Sequence, residues 1–234
     1  MGLTTCMIVL NEEETLRISL RSALSVSDEV VIGVDNRTVD GTLNVIKELN
    51  KVFPDRIKCF NHDFGGHFGK ARQTALELAS NDWVLWLDAD ECLGDDSKGH
   101  LEQAMSGSKD AVHVQYVHFV HDFAHIDNSE PVHFGLFRLF KKNDRVRLDL
   151  RENHCIPSEE MFDNIGINLD IKIFHLGYLR GMFKVRERYL RNVSRSTIHN
   201  PVQVDAWKYW HYFNYPTREY VGEIPLIIKE EFRI

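Results

Sequence analysis

Four short apolar runs, each of the first three followed by a helix-spaced stretch, constrain this chain more than any other feature. The runs are Leu3–Leu10, Glu29–Val34 (EVVIGV), Arg56–Phe60 and Asp82–Leu87 (DWVLWL). Between them, three sets of residues recur at three- and four-residue spacing. These are Leu16, Leu20, Ala23 and Leu24; Leu43, Ile46, Leu49 and Phe53; and Ala71, Ala75, Leu78 and Ala79. Helical stretches that join apolar strands predict β-α-β crossovers, hence a parallel sheet with helices on both faces. EVVIGV is apolar without alternation, as a strand covered on both faces should be. Asn11 reads as a helix cap, with Glu12, Glu13 and Glu14 suited to the positive end of the helix dipole.

The pattern changes after Glu91. A weak helix is expected over Asp95–Met105, and strands over Ala111–Val120, His133–Phe140, Arg145–Leu150 and Ile171–His175. A long helix from about Met182 to Ser194 follows, with Met182, Val185, Tyr189 and Val193 on one face. The second half is therefore mixed α/β. No repeat, linker or low-complexity stretch divides the 234 residues, so one domain over 1–234 is expected. Residues 201–234 form a tail rich in Trp207, Tyr209, Trp210, Tyr212, Phe213 and Tyr215. It suits a core or dimer interface, or stacking on sugar rings, better than a membrane anchor.

Composition removes several classes of function. With 43% hydrophobic residues the chain can bury a core. Its 28 basic against 35 acidic side chains, net −7, argue against binding held by nucleic-acid phosphates. No apolar run approaches the ~18 residues of a membrane span. The apolar start, Met1–Leu10, has no basic region before it and reads as a first strand rather than a signal peptide. Cys6, Cys59, Cys92 and Cys155 form no C-x-x-C pair, which disfavours a cysteine zinc site and fits a reducing cytoplasm.

Ligands of an open parallel sheet bind at the carboxyl ends of its strands. The residues there are Asn11-Glu12, Asp35, His62-Asp63 and Asp88-Ala89-Asp90-Glu91. Two carboxylates at i and i+2 after a buried strand concentrate negative charge that a divalent cation, Mn²⁺ or Mg²⁺, would relieve while bridging to a diphosphate. The competing reading is a solvated acidic turn that caps the next helix. The G-x-G-x-x-G, G-x-x-x-x-G-K-[ST] and G-x-S-x-G patterns are all absent. Gly65-Gly66-His67-Phe68-Gly69-Lys70 opens a helix and is either a phosphate approach or a flexible loop.

At these residues the chain resembles family 2 glycosyltransferases of the GT-A fold. The resemblance rests on Met7–Glu13 (MIVLNEE), Glu29–Thr42 (EVVIGVDNRTVDGT), Phe68–Ala79 (FGKARQTALELA), Asp82–Glu91 (DWVLWLDADE) and Phe174–Leu190 (FHLGYLRGMFKVRERYL), in order. It implies a GT-A, Rossmann-like, mostly parallel sheet flanked by helices. It also implies a nucleotide-sugar donor, UDP-sugar by family habit, a divalent metal, and inversion at the anomeric carbon. The acceptor would be a glycan or glycoconjugate hydroxyl. Residues 1–91 would be the nucleotide-binding half, and 92–200 the half that meets the acceptor and completes the metal site.

Carried over by position, Asp35 would contact the nucleobase, with Asp40 in the following turn. Asn11, Glu12, Lys70 and Arg72 would lie along the donor. Asp88 would meet the ribose or sugar and share the metal with Asp90, and His175 would complete the metal shell. Two positions depart from the family pattern. Gln73 stands where Asn is expected, and Cys155 follows His154 where Glu is expected, in the segment that supplies the catalytic base. His154 and Glu152 are the foremost candidates for that base, with Glu159 and Glu160 behind them.

Two other classes compete with this reading. A haloacid-dehalogenase-type phosphatase also sets D-x-D after an apolar strand, but needs Thr or Val where Glu91 stands. The Cys155 departure suits a degenerate fold that only binds a sugar or a partner. His113, His118, His121, His125 and His133 fit pocket walls better than a second metal site. Lys184, Arg186, Arg188, Arg191 and Arg195 read as a solvated helix face, or as a contact for a phosphate-bearing acceptor or an anionic membrane at its inner face.

Overall fold

The computed structural model describes residues 2–63, 68–128, 136–146, 148, 159–179 and 216–234. The first half follows the expected alternation: β1 (Leu3–Val9), α1 (Leu16–Val26), β2 (Glu29–Asp35), α2 (Thr42–Val52), β3 (Ile57–His62), α3 (Gly69–Leu78) and β4 (Trp83–Trp86). Strands β3, β2, β1 and β4 lie side by side and parallel, with Met7 opposite Ile32 and Cys6 opposite Trp86.

The period-2 geometry of these strands splits their apolar runs between two cores. Met7, Ile32 and Leu85 face one way, onto Leu16 and Leu20 of α1 and Val45 and Ile46 of α2. Cys6, Val31, Val84 and Trp86 face the other, onto Ala75 and Leu76 of α3. This explains the unbroken apolarity of EVVIGV, since Val31 and Ile32 are both fully buried on opposite faces. Each such side chain contributes about 1.5–3 kcal/mol through burial. Gly33 is needed for close approach, because a Cβ there would stand 2.6 Å from the Phe60 ring.

The second half adds antiparallel strands and one further parallel pair to the sheet. It comprises β5 (Glu91–Leu93), α4 (Ser97–Ser106), β6 (Ala111–Val120), β7 (His125–Asp127), β8 (Leu136–Lys141), a 3₁₀ turn (Glu159–Met161) and β9 (Ile165–Tyr178). Then come β10 (Thr217–Glu219) and α5 (Leu226–Phe232). Strand β8 runs antiparallel beside β4 and β6, β9 runs parallel to β6, and β5 runs antiparallel to β9. The result is a mixed sheet whose parallel part carries the four N-terminal strand ends. Residues 217–219 pair with β7, and α5 packs on α1, where Arg21 meets Glu230 at 3.1 Å.

Several expectations are corrected. Helix α1 begins at Leu16, with Thr15 rather than Asn11 at its cap position. Asn11 is instead left-handed (φ 54°), and its Oδ1 accepts the Val39 N–H at 2.9 Å, so the β2–α2 loop captures the side chain that would have capped the helix. Arg145 and Val146 are not strand, because Asn143 Oδ1 accepts both of their N–H groups and makes a local turn. Strand β9 begins six residues before the expected Ile171, since ladder pairing with β6 recruits the half-exposed stretch 165–170 (IGINLD). Residues 133–135, 147, 149–150 and the expected helix over 182–194 lie outside the described residues.

Candidate active site

Strand β4 ends at Trp86, and the chain turns through Leu87-Asp88-Ala89-Asp90 into β5. The turn is held on three sides. The Glu91 N–H donates to the Asp88 carbonyl at 3.0 Å, and the Leu176 N–H of β9 donates to the Asp90 carbonyl at 2.8 Å. From α1, Ser19 Oγ donates to the Ala89 carbonyl at 2.8 Å.

The two carboxylates have different partners. Asp88 accepts from Arg72 Nη2 of α3 at 3.0 Å and has Arg138 Nη2 of β8 at 3.5 Å. The Arg72 guanidinium also lies over the Trp86 ring, 4.9 Å from its centroid. Asp90, almost fully buried, faces His175 of β9, with Oδ2 and Nε2 3.1 Å apart. His118 of β6 stands in register with His175, and their ring centroids are 4.4 Å apart. Tyr178 closes the cluster at 4.6 Å from His118.

Beneath this turn lies a buried layer that sequence reasoning missed. Glu91 accepts the Asp88 N–H at 2.8 Å on one oxygen. On the other it takes Tyr116 Oη at 3.0 Å and Arg138 Nη2 at 2.6 Å. Burial pushes the Glu91 carboxyl up, and the Arg138 charge opposes that rise. Burial likewise raises the Tyr116 phenol well above its ordinary value, so it acts as a donor.

The ends of β2 and β3 form a second group. The Asp35 carboxylate is gripped by the Arg37 guanidinium, Nε at 2.9 Å and Nη2 at 2.6 Å. Burial would raise Asp35, but those hydrogen bonds override it and hold the carboxyl below its usual range. His62 sits opposite Asp35 in register, with both ring nitrogens buried and without a hydrogen-bond partner, and burial lowers its pKa. Asp40 and Glu12 join the neighbouring loops: Asp40 accepts the Glu13 N–H at 3.2 Å, and the Glu12 N–H donates to Thr42 Oγ1 at 2.8 Å. Lys70 is exposed in the first turn of α3. Gln73, the departure from Asn, uses its amide oxygen to hold the Leu148 N–H at 3.1 Å.

The structure thus brings Arg72, Asp88, Asp90 and His175 together, places Asp35 in its own group, and leaves Asn11, Glu12 and Asp40 in the loop lock beside it. His154 and Glu152 lie outside the described residues, as do Cys155 and Gly65-Gly66. Arg138 and Tyr116 carried no sequence signal, while His118 stood in the histidine group.

Among the described residues, no three His, Cys, Asp or Glu side chains are placed to hold an ion. Asp90 Oδ2 and His175 Nε2 nevertheless converge, a buried carboxylate and an imidazole 3.1 Å apart. Two protein ligands fit a Mn²⁺ or Mg²⁺ that completes its shell with phosphate oxygens and water, as such ions commonly do. No described helix is long and apolar enough to cross a membrane.

An open α/β sheet with polar residues converging on its strand ends and a D-x-D turn after β4 defines the class by fold: GT-A. The model of glycosyl transferase family 2 matches residues 4–164, and the chain belongs to that family. The SPbeta prophage-derived glycosyltransferase SunS of Bacillus subtilis is 24% identical over 202 residues, 81% of this chain and 43% of SunS. An uncharacterised glycosyltransferase of Rickettsia typhi is 31% identical over 100 residues, 43% of this chain and 32% of its own length. The chain therefore spans less than half the length of these curated relatives. Among solved structures, S. aureus TarS 1–349 in complex with UDP shares the fold with a TM-score of 0.55 at 15% identity, covering 74% of this chain and 60% of TarS.

Proposed function

We propose that this protein transfers a sugar from a nucleotide-sugar donor, a UDP-sugar by preference, to a hydroxyl of a glycan or glycoconjugate, with a divalent cation and inversion at the anomeric carbon. The observation that carries this reading is the division of labour in the D-x-D turn, where arginines meet Asp88 and His175 meets buried Asp90. The solved TarS structures, which include complexes with UDP and with UDP-GlcNAc, support the choice of donor.

In this reading Asp35 reads the nucleobase. Asp88 and Arg72 lie along the ribose and sugar, and Asp90 with His175 holds the cation. When bound, the cation neutralises charge on the leaving diphosphate. A base takes the proton of the acceptor hydroxyl as its oxygen bonds to the anomeric carbon. The bond to the diphosphate breaks with its electron pair, and the nucleoside diphosphate leaves. His154 is the foremost candidate for that base, since an unperturbed imidazole titrates near pH ~6.5, with Glu152 the alternative. Residues 1–91 serve the nucleotide and 92–200 the acceptor. The cysteine pattern supports action in the cytoplasm, with the basic run 184–195 suited to the inner face of the membrane.

A panel of nucleotide-sugars tested for thermal stabilisation with and without Mn²⁺ decides the matter. A true donor at 100 times its Kd adds about 2.7 kcal/mol of stability. Mn²⁺-dependent release of nucleoside diphosphate should accompany it. Stabilisation without any turnover, across the panel and with acceptor mixtures, would mark a binding module and refute the transfer reading.

A further inference from the structure

Strand β8 carries an irregularity at one residue. In its ladder with β6, Val112 pairs with Leu139 and His113 with Phe137, so Arg138 is left without a β6 counterpart. Bulges of this kind re-aim a side chain and favour places beside active sites. The Arg138 side chain is 5% exposed. Its Nη2 reaches both Glu91 and Asp88, and the guanidinium lies 5.9 Å from the Tyr116 ring centroid.

The pairing is a poor stabilising device. Arg138 Nε and Nη1 are buried with no hydrogen-bond partner. A buried ion pair with unfinished hydrogen bonding is commonly matched or exceeded in stability by apolar side chains of similar volume. The contacts it does make all converge on the D-x-D turn. Glu91, which Arg138 anchors, accepts the backbone N–H of Asp88. Arg138 and Arg72 together place two cations against Asp88, whereas Asp90 has an imidazole.

We infer that Arg138 is a positioning residue for the transfer site: through Glu91 it fixes the backbone of the Asp88–Asp90 turn, and with Arg72 it neutralises Asp88, so that Asp90 with His175 presents the carboxylate that meets the cation. The inference rests on the transfer reading above. It assigns Arg138 no contact with donor or acceptor.

The test separates position from stability. In the double variant Glu91→Leu with Arg138→Met, the pair is removed whole, so no buried charge is left unpaired, and the melting temperature should fall only by what the Tyr116 hydroxyl and the Asp88 amide lose with their acceptor. Affinity for UDP in the presence of Mn²⁺, measured by calorimetry, should nevertheless fall about tenfold or more, the usual scale for groups that orient metal ligands. The Asp88 amide, having lost its acceptor, should exchange its hydrogen about tenfold faster or more, while the β1 and β2 amides stay protected. Arg138→Lys keeps the charge but not the planar fork, so it should lose about threefold in affinity with its melting temperature held. Wild-type affinity in either variant overturns the inference. Should the wild type itself bind no UDP with Mn²⁺, the transfer reading fails, and the Asp88 exchange rate then judges the positioning role by itself. Unchanged exchange there overturns it.

Discussion

Glu29 lies at the end of the sheet opposite the D-x-D turn, and its substitution should cost stability without touching chemistry. Its carboxylate accepts Thr4 Oγ1 at 2.9 Å and the Ser80 N–H at 2.8 Å on one oxygen. The other oxygen accepts Ser80 Oγ at 3.0 Å and meets the Lys58 ammonium. This one side chain therefore joins β1, β2, β3 and the segment between α3 and β4. Glu29→Gln keeps one acceptor oxygen and puts an amide N–H₂ against two donors. Hydrogen bonds to a charged group are worth about 1.5–3 kcal/mol. Lys58 is nearly half exposed, so its share is small. The expected loss is about 2–3 kcal/mol, or about 4–12 °C in Tm for a chain of this size.

The pH dependence gives the sign. Burial would raise the Glu29 carboxyl, but the Lys58, Ser80 and Thr4 contacts outweigh it and hold the carboxyl below its ordinary value. A depressed folded-state pKa contributes stability that is complete above the unfolded value, about 4.3, and is lost as pH falls through the folded one. Thermal melts of wild type and Glu29→Gln between about pH 7 and pH 3 should show a gap that is constant at neutrality. That gap should narrow below about pH 4.5. A gap under about 1 °C at neutral pH, or one that persists unchanged at the acid end, would refute the reasoning. Mn²⁺-dependent UDP affinity should be unchanged wherever the variant is folded.

Three further outcomes follow from the site. Asp90→Asn should abolish the Mn²⁺ dependence of donor binding with little change in Tm, and undiminished donor affinity at saturating Mn²⁺ would remove Asp90 from the metal site. Asp35→Ala should weaken UDP and UDP-sugar alike in calorimetry, and an effect confined to the sugar-bearing form would move Asp35 from the base to the sugar. His154→Ala should lower the transfer rate by about 10²-fold or more with donor affinity retained, and wild-type transfer should decline on the acid side of neutrality. A fully active His154→Ala beside an inactive Glu152→Gln would make the carboxylate the base.

Sequence periodicity by itself determined the parallel half of this protein. Val31 and Ile32, or Val84 and Leu85, are apolar neighbours that must face opposite sides of a strand, so both sides must be covered, and the helix-spaced leucines and alanines between the strands supply the cover. That pattern also placed Asp35, Asp88 and Asp90 at one edge, because the residue after a buried strand of a parallel sheet has nowhere else to be. Short-range signals failed where long-range partners competed for a group. Asn11 was a plausible cap until the Val39 N–H took its oxygen, and residues 165–170 became strand only because β6 offered a ladder.

The difference between the two aspartates belongs to tertiary structure alone. Asp88 and Asp90 are two residues apart and identical in kind, yet one meets Arg72 and Arg138 and the other meets His175. Those partners come from the crossover helix α3 and from β8 and β9, the strands brought in by antiparallel pairing and, for Arg138, by a one-residue bulge. A single register slip would turn Arg138 to the other face of the sheet. Register between distant strands is a property of the packed core as a whole, so no window of sequence around Arg138 or Glu91 contains it.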